Sequence, residues 1–473
     1  MRHARPPAAH VVRRSLCLAL AFAAGACGGD AGPVATPATG AVALRFGGLP
    51  EGASPSAVLA GPNGYSRTIG TPTATVANLT PGTYTLTASA VEAGGRTWYP
   101  VGASVPIEVR AGQTVSLRNL YGRVPAWGTF VPSLLPLDST MLAFMAARGI
   151  ETGTLAVARA GRPVLSRAYG WRDRAHAHPL SPDALFRLAS VSKPVTAAAI
   201  GRLIGEGKLS SSTKVYPLLG LAPLGGAVAD ARIYDVTVRQ LLDHKGGWDR
   251  DLAGDVVFMA RTFARALGAS APLDKTELAR YMMTQPLQFA PGARAAYSNF
   301  GYSLLGLAIE KVTGQRYVDY VRQNVFPATA APFVAQSATL PEDRDPREPE
   351  YVDPATGCLV FVVASCSVVP IADGWWWSEQ FDSFGGLSAS APTLLQFLSA
   401  YWLDGSPRPA PGATGSSWWA FGSLPGTFTM ARQRPDGTDV VVLFNQRTDP
   451  SGLPYDVIGE AMDAAAARVA AWP

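Results

Sequence analysis

The sequence has few residues that bind metal ions, and it lacks the motifs of several common enzyme classes. Its 473 residues include only five histidines, and His3 and His10 lie within the first ten positions. It contains no H-E-x-x-H motif, no glycine-rich phosphate loop ending in lysine and no G-x-S-x-G motif. These absences argue against a zinc hydrolase, a P-loop nucleotide hydrolase and an α/β-hydrolase. We therefore expect no cofactor and no metal ion.

Charged residues are also scarce. They make up 16% of the chain, apolar residues make up 48%, and the formal net charge is +5. Four arginines and no acidic residue lie in the first 26 positions, so the rest of the chain carries only +1. This composition is typical of a folded globular protein rather than a disordered one. The near-neutral charge gives no reason to expect a nucleic-acid partner.

No apolar run is long enough to cross a membrane, which takes about 20 residues. Residues 1–26 instead have the features of a signal peptide, with arginines, the apolar stretch Ser15–Ala26 and small residues before Cys27. The small residues resemble a bacterial lipobox, which predicts that Cys27 is lipidated. The alternative is an ordinary cleaved signal followed by an incidental cysteine. We expect an exported protein, periplasmic or at the cell surface, that contacts a membrane only through a lipid anchor.

Only four cysteines are present. Cys17 would leave with the signal peptide, and Cys27 is the predicted lipidation site. Cys358 and Cys366 remain, eight positions apart, and in an oxidising compartment such a pair is expected to form a disulfide across a hairpin. Two buried free thiols are the alternative.

Apolar periodicity and turn signals predict a multidomain chain. Residues 27–40 are rich in small residues and are predicted to be a linker. Residues 41–124 contain short alternating stretches separated by turns, which predicts an all-β sandwich that serves as a spacer or binds glycans. A second linker is expected at 125–136. In residues 137–473, strand patterns near both ends enclose helical stretches, which predicts an antiparallel sheet covered by helices.

Two helix boundaries in the second domain can be predicted. Asp138 precedes an amphipathic stretch and is expected to cap the first helix. A later helical pattern extends from Gly301 to Phe326.

The stretch "FRLASVSKPVTAAAI" places Ser190 and Lys193 three positions apart at the start of a helical pattern. Residues at this spacing share one face of a helix, so the Lys193 amine can reach the Ser190 hydroxyl. Serine needs an adjacent base to act as a nucleophile, and a lysine can serve if burial lowers its pKa. The alternative is that the serine only caps the helix, because serine is favoured at that position.

Two further stretches contain candidate site residues. In "YSNFG", Tyr297 is a candidate proton carrier and Asn299 offers an amide that can orient a lysine and a substrate carbonyl. A core tyrosine and an asparagine helix cap are the alternative. In "FGSLPG", Gly422 allows a close backbone approach, and the N–H of Ser423 is a candidate oxyanion donor opposite that of Ser190.

Residues from about 137 to 473 resemble the serine beta-lactamase-related family of class C beta-lactamases, D-alanyl-D-alanine carboxypeptidases and esterases. The resemblance rests on "SVSK", "VTVRQLLDHKGGW", "YSNFGYSLLGLAIEKVTGQRYVDYVRQNVF" and "DSFGGLSASAPTLLQFL" in this order. It implies an α+β fold, in which an antiparallel sheet flanked by helices meets a helical subdomain. It also implies that Ser190 is acylated, Lys193 is its hydrogen-bonded partner, Tyr297 is the general base and Asn299 orients the substrate. His244 is expected to be structural.

Ala420 departs from the family pattern. The third family motif begins with lysine or histidine, and its aligned residues here are Ala420, Phe421 and Gly422. The missing cation would bind a substrate carboxylate, so ester hydrolysis is expected to exceed beta-lactam or peptide hydrolysis. Arg432 or Arg434 on the next strand is a candidate substitute for the cation. Five tryptophans are expected either to line an apolar acyl pocket or to pack in the core, namely Trp375, Trp376, Trp377, Trp418 and Trp419.

The sequence therefore predicts a secreted serine hydrolase that acts through an acyl-enzyme on ester or amide substrates. The substrate would be a small molecule or derived from peptidoglycan. The alternative is an inactive relative that binds peptidoglycan or another ligand of the cell envelope.

Overall fold

The computed structural model describes residues 38–449 and 451–473. The predicted signal peptide, Cys27 and most of the first predicted linker therefore lie outside the described residues. None of the helices in the described ranges has the length and apolar composition that crossing a membrane requires.

The N-terminal part of the described chain consists of β-strands. They are β1 (Gly40–Gly47), β2 (Ser56–Ala60), β3 (Ser66–Ile69), β4 (Thr73–Leu79), β5 (Gly82–Ser89), β6 (Val91–Ala93), β7 (Arg96–Pro100), β8 (Ser104–Val109) and β9 (Thr114–Gly122). Two sheets form, with the orders β4-β1-β9-β7-β6 and β3-β2-β5-β8. Alternate residues such as Val42 and Leu44 of β1 face one core that both sheets share, while Arg45 faces outward.

The remaining strands belong to the second part of the chain. They are β10 (Ala126–Trp127), β11 (Thr152–Arg159), β12 (Arg162–Gly170), β13 (Phe186–Arg187), β14 (Val334–Gln336), β15 (Thr356–Cys358), β16 (Val368–Pro370), β17 (Leu387–Ala389), β18 (Trp418–Leu424), β19 (Thr427–Gln433) and β20 (Thr438–Phe444). The main sheet has the order β10-β12-β11-β20-β19-β18 and is antiparallel. Late strand β20 pairs with early strand β11, so the two ends of this part meet, as the sequence predicts.

Helices cover both faces of the main sheet. They are α1 (Leu135–Arg148), α2 (Ser192–Gly205), α3 (Val215–Leu219), α4 (Val238–Leu242), α5 (Arg250–Ala253), α6 (Ala260–Ala266), α7 (Lys275–Met282), α8 (Asn299–Thr313), α9 (Tyr317–Asn324), α10 (Ala391–Ala400) and α11 (Ile458–Ala467). Val440 and Val442 of β20 join a core with α1 and α11, while Val441 and Leu443 join a core with α2, α8 and α10. Because both faces are covered, residues 440–444 of β20 are all apolar.

The prediction that Asp138 caps the first helix is wrong. Helix α1 begins at Leu135, and Pro136 occupies its first turn, where a proline loses no helical hydrogen bond. Asp138 is instead fully buried inside the helix. It accepts hydrogen bonds from Arg167 Nε at 3.1 Å and from the Tyr169 hydroxyl at 2.6 Å.

Two other boundaries differ from the sequence interpretation. Strand β10 lies inside the range 125–136 that the sequence assigns to a linker, and it pairs with β12 at the edge of the main sheet. The helical stretch from Gly301 to Phe326 is two helices, α8 and α9. Gly314 separates them with a φ of +67°, which ends α8 in the left-handed conformation typical of a C-terminal glycine.

Candidate active site

Ser190 lies in a short 3-10 turn, Ala189–Val191, directly before α2. Ala189 has a φ of +47°, in the left-handed region that non-glycine residues rarely adopt. Strained backbone of this kind is often found at active sites, where the surrounding packing maintains it. The Ser190 hydroxyl caps neither the turn nor α2, so the interpretation of this serine as only a helix cap is wrong.

The Ser190 hydroxyl contacts two groups that can transfer protons. The Tyr297 phenol donates to Ser190 Oγ at 2.7 Å, and Lys193 Nζ donates to the same oxygen at 3.3 Å. Lys193 Nζ also lies 4.7 Å from the centre of the Tyr297 ring. Two distant parts of the sequence therefore converge on the serine, and the three side chains form one cluster.

Lys193 is held inside the protein, with only 5% of its surface exposed. Its amine also donates to the Phe384 carbonyl at 2.8 Å. Burial lowers the pKa of Lys193 well below its usual value; the Asp255 carboxylate opposes this change, and the Arg250 cation adds to it. The environment therefore favours a neutral amine, which is the form that can accept a proton.

Tyr297 lies in the loop before α8. Burial raises the pKa of Tyr297, while its hydrogen bond to Ser190 and the Arg250 charge oppose that rise. In the structure, burial has the larger effect on both groups and favours a neutral amine beside a neutral phenol.

His244 fixes the loop that carries Tyr297. Its Nδ1 accepts from the Ser298 backbone N–H at 3.2 Å, and its carbonyl accepts from Ala296 N–H at 2.8 Å. The imidazole stacks on the Tyr297 ring at a centroid distance of 4.7 Å. Burial lowers the pKa of His244 to about 4. The imidazole is therefore neutral near pH 7 and has no contact with Ser190 among its hydrogen bonds.

Asn299 begins α8, and its contacts differ from those expected. Its Nδ2 donates to Asp255 Oδ2 at 2.6 Å rather than holding Lys193. Its Oδ1 is buried and has no hydrogen-bond partner among the described residues. The amide is therefore oriented by an acidic residue that the sequence did not indicate, and its acceptor oxygen is left available.

Gly422 of β18 lies against the turn that carries Ser190. A Cβ atom at this position would be 2.2 Å from the Leu188 carbonyl oxygen and 3.1 Å from the Ser190 backbone nitrogen. Only glycine allows this approach. Strand β18 is the edge strand of the main sheet, and Ser423 follows Gly422 along it. The N–H of Ser423 as second oxyanion donor stays a prediction.

Residues 137–446 match the family model described as Beta-lactamase. The chain belongs to the beta-lactamase family. The resemblance inferred from the motifs is thereby confirmed.

Curated relatives cover part of the chain. The probable fimbrial assembly protein FimD of Dichelobacter nodosus is 36% identical over 236 residues, which are 49% of this chain and 52% of that protein. Esterase EstB of Burkholderia gladioli is 33% identical over 187 residues, 38% of this chain and 45% of that protein. The chain thus spans about half the length of the curated relatives it matches.

Solved structures share the fold of the beta-lactamase-family domain. A D-amino acid amidase from Ochrobactrum anthropi has a TM-score of 0.51 at 19% identity, over 71% of this chain and 97% of that chain. The octameric penicillin-binding protein homologue from Pyrococcus abyssi has a TM-score of 0.50 at 22% identity, over 70% and 76% of the two chains. At these identities the likeness is one of fold.

The beta-lactamase-family domain has no cation at the start of its third motif. Ala420 lies two residues before Gly422, on the same face of β18, and lines the cleft at Ser190. Arg432 and Arg434 do not replace the cation. Both bind Asp463 of α11, at 3.0 and 2.6 Å, on the opposite side of the sheet.

Arg250 is a site residue that the sequence analysis missed. Its guanidinium lies 4.5 Å from the centre of the Tyr297 ring. Its ion pair with Asp251 spans 3.8 Å, and that aspartate is 91% exposed. The nearest sequence signal was the charged run "DRD" directly after "LLDHKGGW", which brings Arg250 close to His244 along the chain.

The beta-lactamase-family domain contains a cleft of about 990 Å³ at Ser190. One wall is formed by α2 and β18, and the other by Tyr297, Tyr302 and the His244 segment. The cleft is open to solvent along α2 as far as Gly205. The cleft therefore extends well beyond Ser190.

The five tryptophans that the sequence predicts to line an acyl pocket or the core lie in two places, a separate cavity and strand β18. Trp375, Trp376 and Trp377 line a separate cavity of about 170 Å³ with Phe258 and Phe384. That cavity also contacts Cys358, which is joined to Cys366 by a disulfide.

Trp418 and Trp419 lie on β18 instead. Trp418 packs against the core that includes α2. Trp419 stacks on Arg432, 3.9 Å from ring centre to guanidinium, on the α11 side. Neither lines the cleft at Ser190.

Proposed function

We propose that this protein is a serine hydrolase that forms an acyl-enzyme on Ser190 and transfers the acyl group to water. The observation that carries the proposal is the convergence of Tyr297 and Lys193 on Ser190 Oγ, at 2.7 and 3.3 Å. A serine hydroxyl is a weak nucleophile until a neighbouring base accepts its proton. The two side chains supply such a base at hydrogen-bond distance.

The proton moves within the Lys193–Tyr297 pair. A neutral amine beside a phenol holds the same number of protons as an ammonium beside a phenolate. In the second form, the phenolate oxygen accepts the Ser190 proton as Oγ attacks the substrate carbonyl. When the tetrahedral intermediate collapses, the same phenol returns that proton to the leaving group. Water then takes the place of the leaving group and releases the acid.

Backbone donors would stabilise the negative oxygen of the intermediate. The Ser190 N–H lies where β18 approaches through Gly422, and the Ser423 N–H is the proposed second donor. Two fixed N–H groups aimed at a developing oxyanion contribute strongly to acyl transfer. The available Oδ1 of Asn299 is proposed to accept from a substrate amide N–H or from the Lys193 amine.

We propose ester substrates ahead of beta-lactams and peptides with a free C-terminus. The support is Ala420, which offers a methyl group to the cleft where a cation would bind a carboxylate. Short p-nitrophenyl esters carry no carboxylate and should be hydrolysed with a higher kcat/KM than a chromogenic cephalosporin. Comparable or faster cephalosporin turnover would contradict this assignment.

A fluorophosphonate probe tests whether Ser190 is the nucleophile. We expect wild-type protein to form one adduct on Ser190, located by peptide mass spectrometry, and Ser190→Ala to form none. Ser211→Ala, at an exposed position, is the matched control and should label like wild type. An unlabelled wild type with no ester hydrolysis would favour the alternative, a ligand-binding relative without catalysis.

We also propose export and lipid attachment at Cys27. The support is the sequence pattern of residues 1–26, together with the Cys358–Cys366 disulfide, since such bonds persist in oxidising compartments. In a bacterial host, the wild type should fractionate with membranes and carry a mass increase on Cys27. Cys27→Ser should lack this mass increase. A wild type that carries no mass increase on Cys27 would contradict lipid attachment.

A further inference from the structure

A groove of about 800 Å³ separates the N-terminal strands from the beta-lactamase-family domain. One wall is the outer face of the β4-β1-β9 sheet, with Arg45 and Arg118. The other wall is the start of α1 together with Arg468 near the end of the chain. Among the described residues that line the groove, three are arginines and none is acidic. The groove shares no lining residue with the cleft at Ser190.

Arg45 and Arg118 lie directly beside each other. Strands β1 and β9 pair in parallel, and these two arginines are register partners in that pairing. Neighbouring strands are about 4.8 Å apart, so the two side chains leave the same face of the sheet at that spacing. Both are exposed. Adjacent like charges on one face of a sheet are destabilising.

Neither arginine has a compensating carboxylate in the described part of the chain. Some other strand arginines are neutralised, as Arg159 is by Asp436 at 2.9 Å and Arg432 is by Asp463 at 3.0 Å. No ion pair of Arg45 or Arg118 occurs within residues 38–449 and 451–473. An unneutralised pair at the wall of a groove is an arrangement that an external anion would stabilise.

We infer that this groove binds a phosphate-bearing ligand. A phosphate group carries nearly two negative charges, which match the two arginines, whereas a carboxylate carries one. The planar guanidinium donates two parallel hydrogen bonds to oxygens of such a group. The hydroxyl groups of Thr73, Ser133 and Ser139 also line the groove and can donate to further oxygens.

Arg468 extends the site across the groove. It donates to Thr140 Oγ1 at 3.2 Å through one nitrogen, which leaves its other N–H groups for a ligand. Arg468 lines the opposite wall, so we expect it to contact a second phosphate group of a ligand that spans the groove. Binding would bridge the N-terminal strands and the catalytic domain without entering the cleft at Ser190.

Calorimetric titration of the exported chain with pyrophosphate tests the inference. We expect Arg45→Gln/Arg118→Gln to weaken binding at least tenfold. The charge-matched control Arg67→Gln/Arg96→Gln changes exposed arginines elsewhere on the N-terminal strands and should bind within twofold of wild type. Citrate, an anion with carboxylates only, should bind wild type at least tenfold more weakly than pyrophosphate.

Thermal unfolding separates ligand binding from a structural role. Because the pair is repulsive, Arg45→Gln/Arg118→Gln without ligand should unfold at the same temperature as wild type or higher. Ester hydrolysis should be unchanged in both double variants. A variant that unfolds several degrees earlier would overturn the inference. Undiminished pyrophosphate binding, equal loss in the control, or equal affinity for citrate would overturn it as well.

Discussion

At the scale of single residues, the site depends on burial that disfavours charge. Lys193 and Tyr297 are both held toward their neutral forms, so one proton can move between them without leaving a net charge in the protein. Below the lowered pKa of Lys193, the amine is protonated while the phenol keeps its proton, and no base remains. The rate of hydrolysis should therefore rise as the pH increases through the lowered pKa of Lys193. A plot of kcat/KM for an ester against pH should show this rise.

Protonation of His244 should couple folding to pH. Its pKa is about 4 in the folded protein and 6.5 as an ordinary histidine. Between these values the unfolded chain binds a proton that the folded protein does not, so the free energy of unfolding rises with pH. His244→Asn should remove up to about 3 kcal/mol of that rise. Urea unfolding at several pH values measures it, and an unaltered pH dependence would show that His244 does not contribute.

Ala420→Lys should restore a cation to the cleft. A lysine there would face the same side of β18 as Gly422 and could bind a substrate carboxylate. We expect kcat/KM for a chromogenic cephalosporin to rise about tenfold or more relative to a p-nitrophenyl ester. Thr414→Lys adds the same charge at an exposed loop position and should leave the ratio unchanged. If the ratio of cephalosporin to ester kcat/KM is also unchanged in Ala420→Lys, residue 420 does not determine the substrate preference.

The sequence indicated the site residues whose partners are fixed by helix spacing or by a motif. Ser190 and Lys193 share a helical face, and Tyr297 lies in a stretch that resembles a family motif. Arg250 and Asp255 were missed because tertiary contacts, rather than any local repeat, bring them to Tyr297 and Asn299.

At the scale of elements, the fit between β18 and the Ser190 turn is the critical contact. Gly422→Ala would place a Cβ atom 2.2 Å from the Leu188 carbonyl oxygen, so the strand must move away. We expect a loss of about 100-fold or more in ester kcat/KM and about 1–3 kcal/mol of stability. Gly226→Ala, where the nearest atom is 3.6 Å away, is the control for an added methyl. Wild-type activity in Gly422→Ala would refute this role.

Element boundaries were predicted less well than element types. Alternating residues identified the strands from 41 to 124, because a half-buried strand must alternate. The helix expected over Gly301–Phe326 breaks at Gly314, since a single glycine inside an apolar helical pattern does not reveal a left-handed turn. Asp138 suggested a cap, but two prolines upstream allow α1 to start earlier, and the carboxylate is needed by Arg167.

At the scale of the whole molecule, Arg167 joins the two parts of the chain. It is 1% exposed, pairs with the buried Asp138 and donates to the Val101 carbonyl at 2.6 Å. Burial raises the pKa of Asp138, and the Arg167 charge opposes that rise. Arg167→Ala would leave this carboxyl group without its buried partner.

We therefore expect Arg167→Ala to lose about 3–5 kcal/mol of stability. Urea unfolding followed by tryptophan fluorescence measures the loss. Arg162→Ala, at the exposed start of β12, is the control and should change stability by no more than about 0.5 kcal/mol. A loss of similar size in both variants would contradict the role of the buried pair.

The pairing of β11 with β20 also sets the order in which the main sheet can be completed. Leu155 and Val442 are register partners although 287 positions separate them in the chain. Contacts between such distant segments form late and slow folding. A nascent chain that ends before Trp418 has its serine, lysine and tyrosine but neither β20 nor the Gly422 wall. The centre of the main sheet and the wall beside Ser190 can therefore form only after the segment that ends at Phe444 has been added.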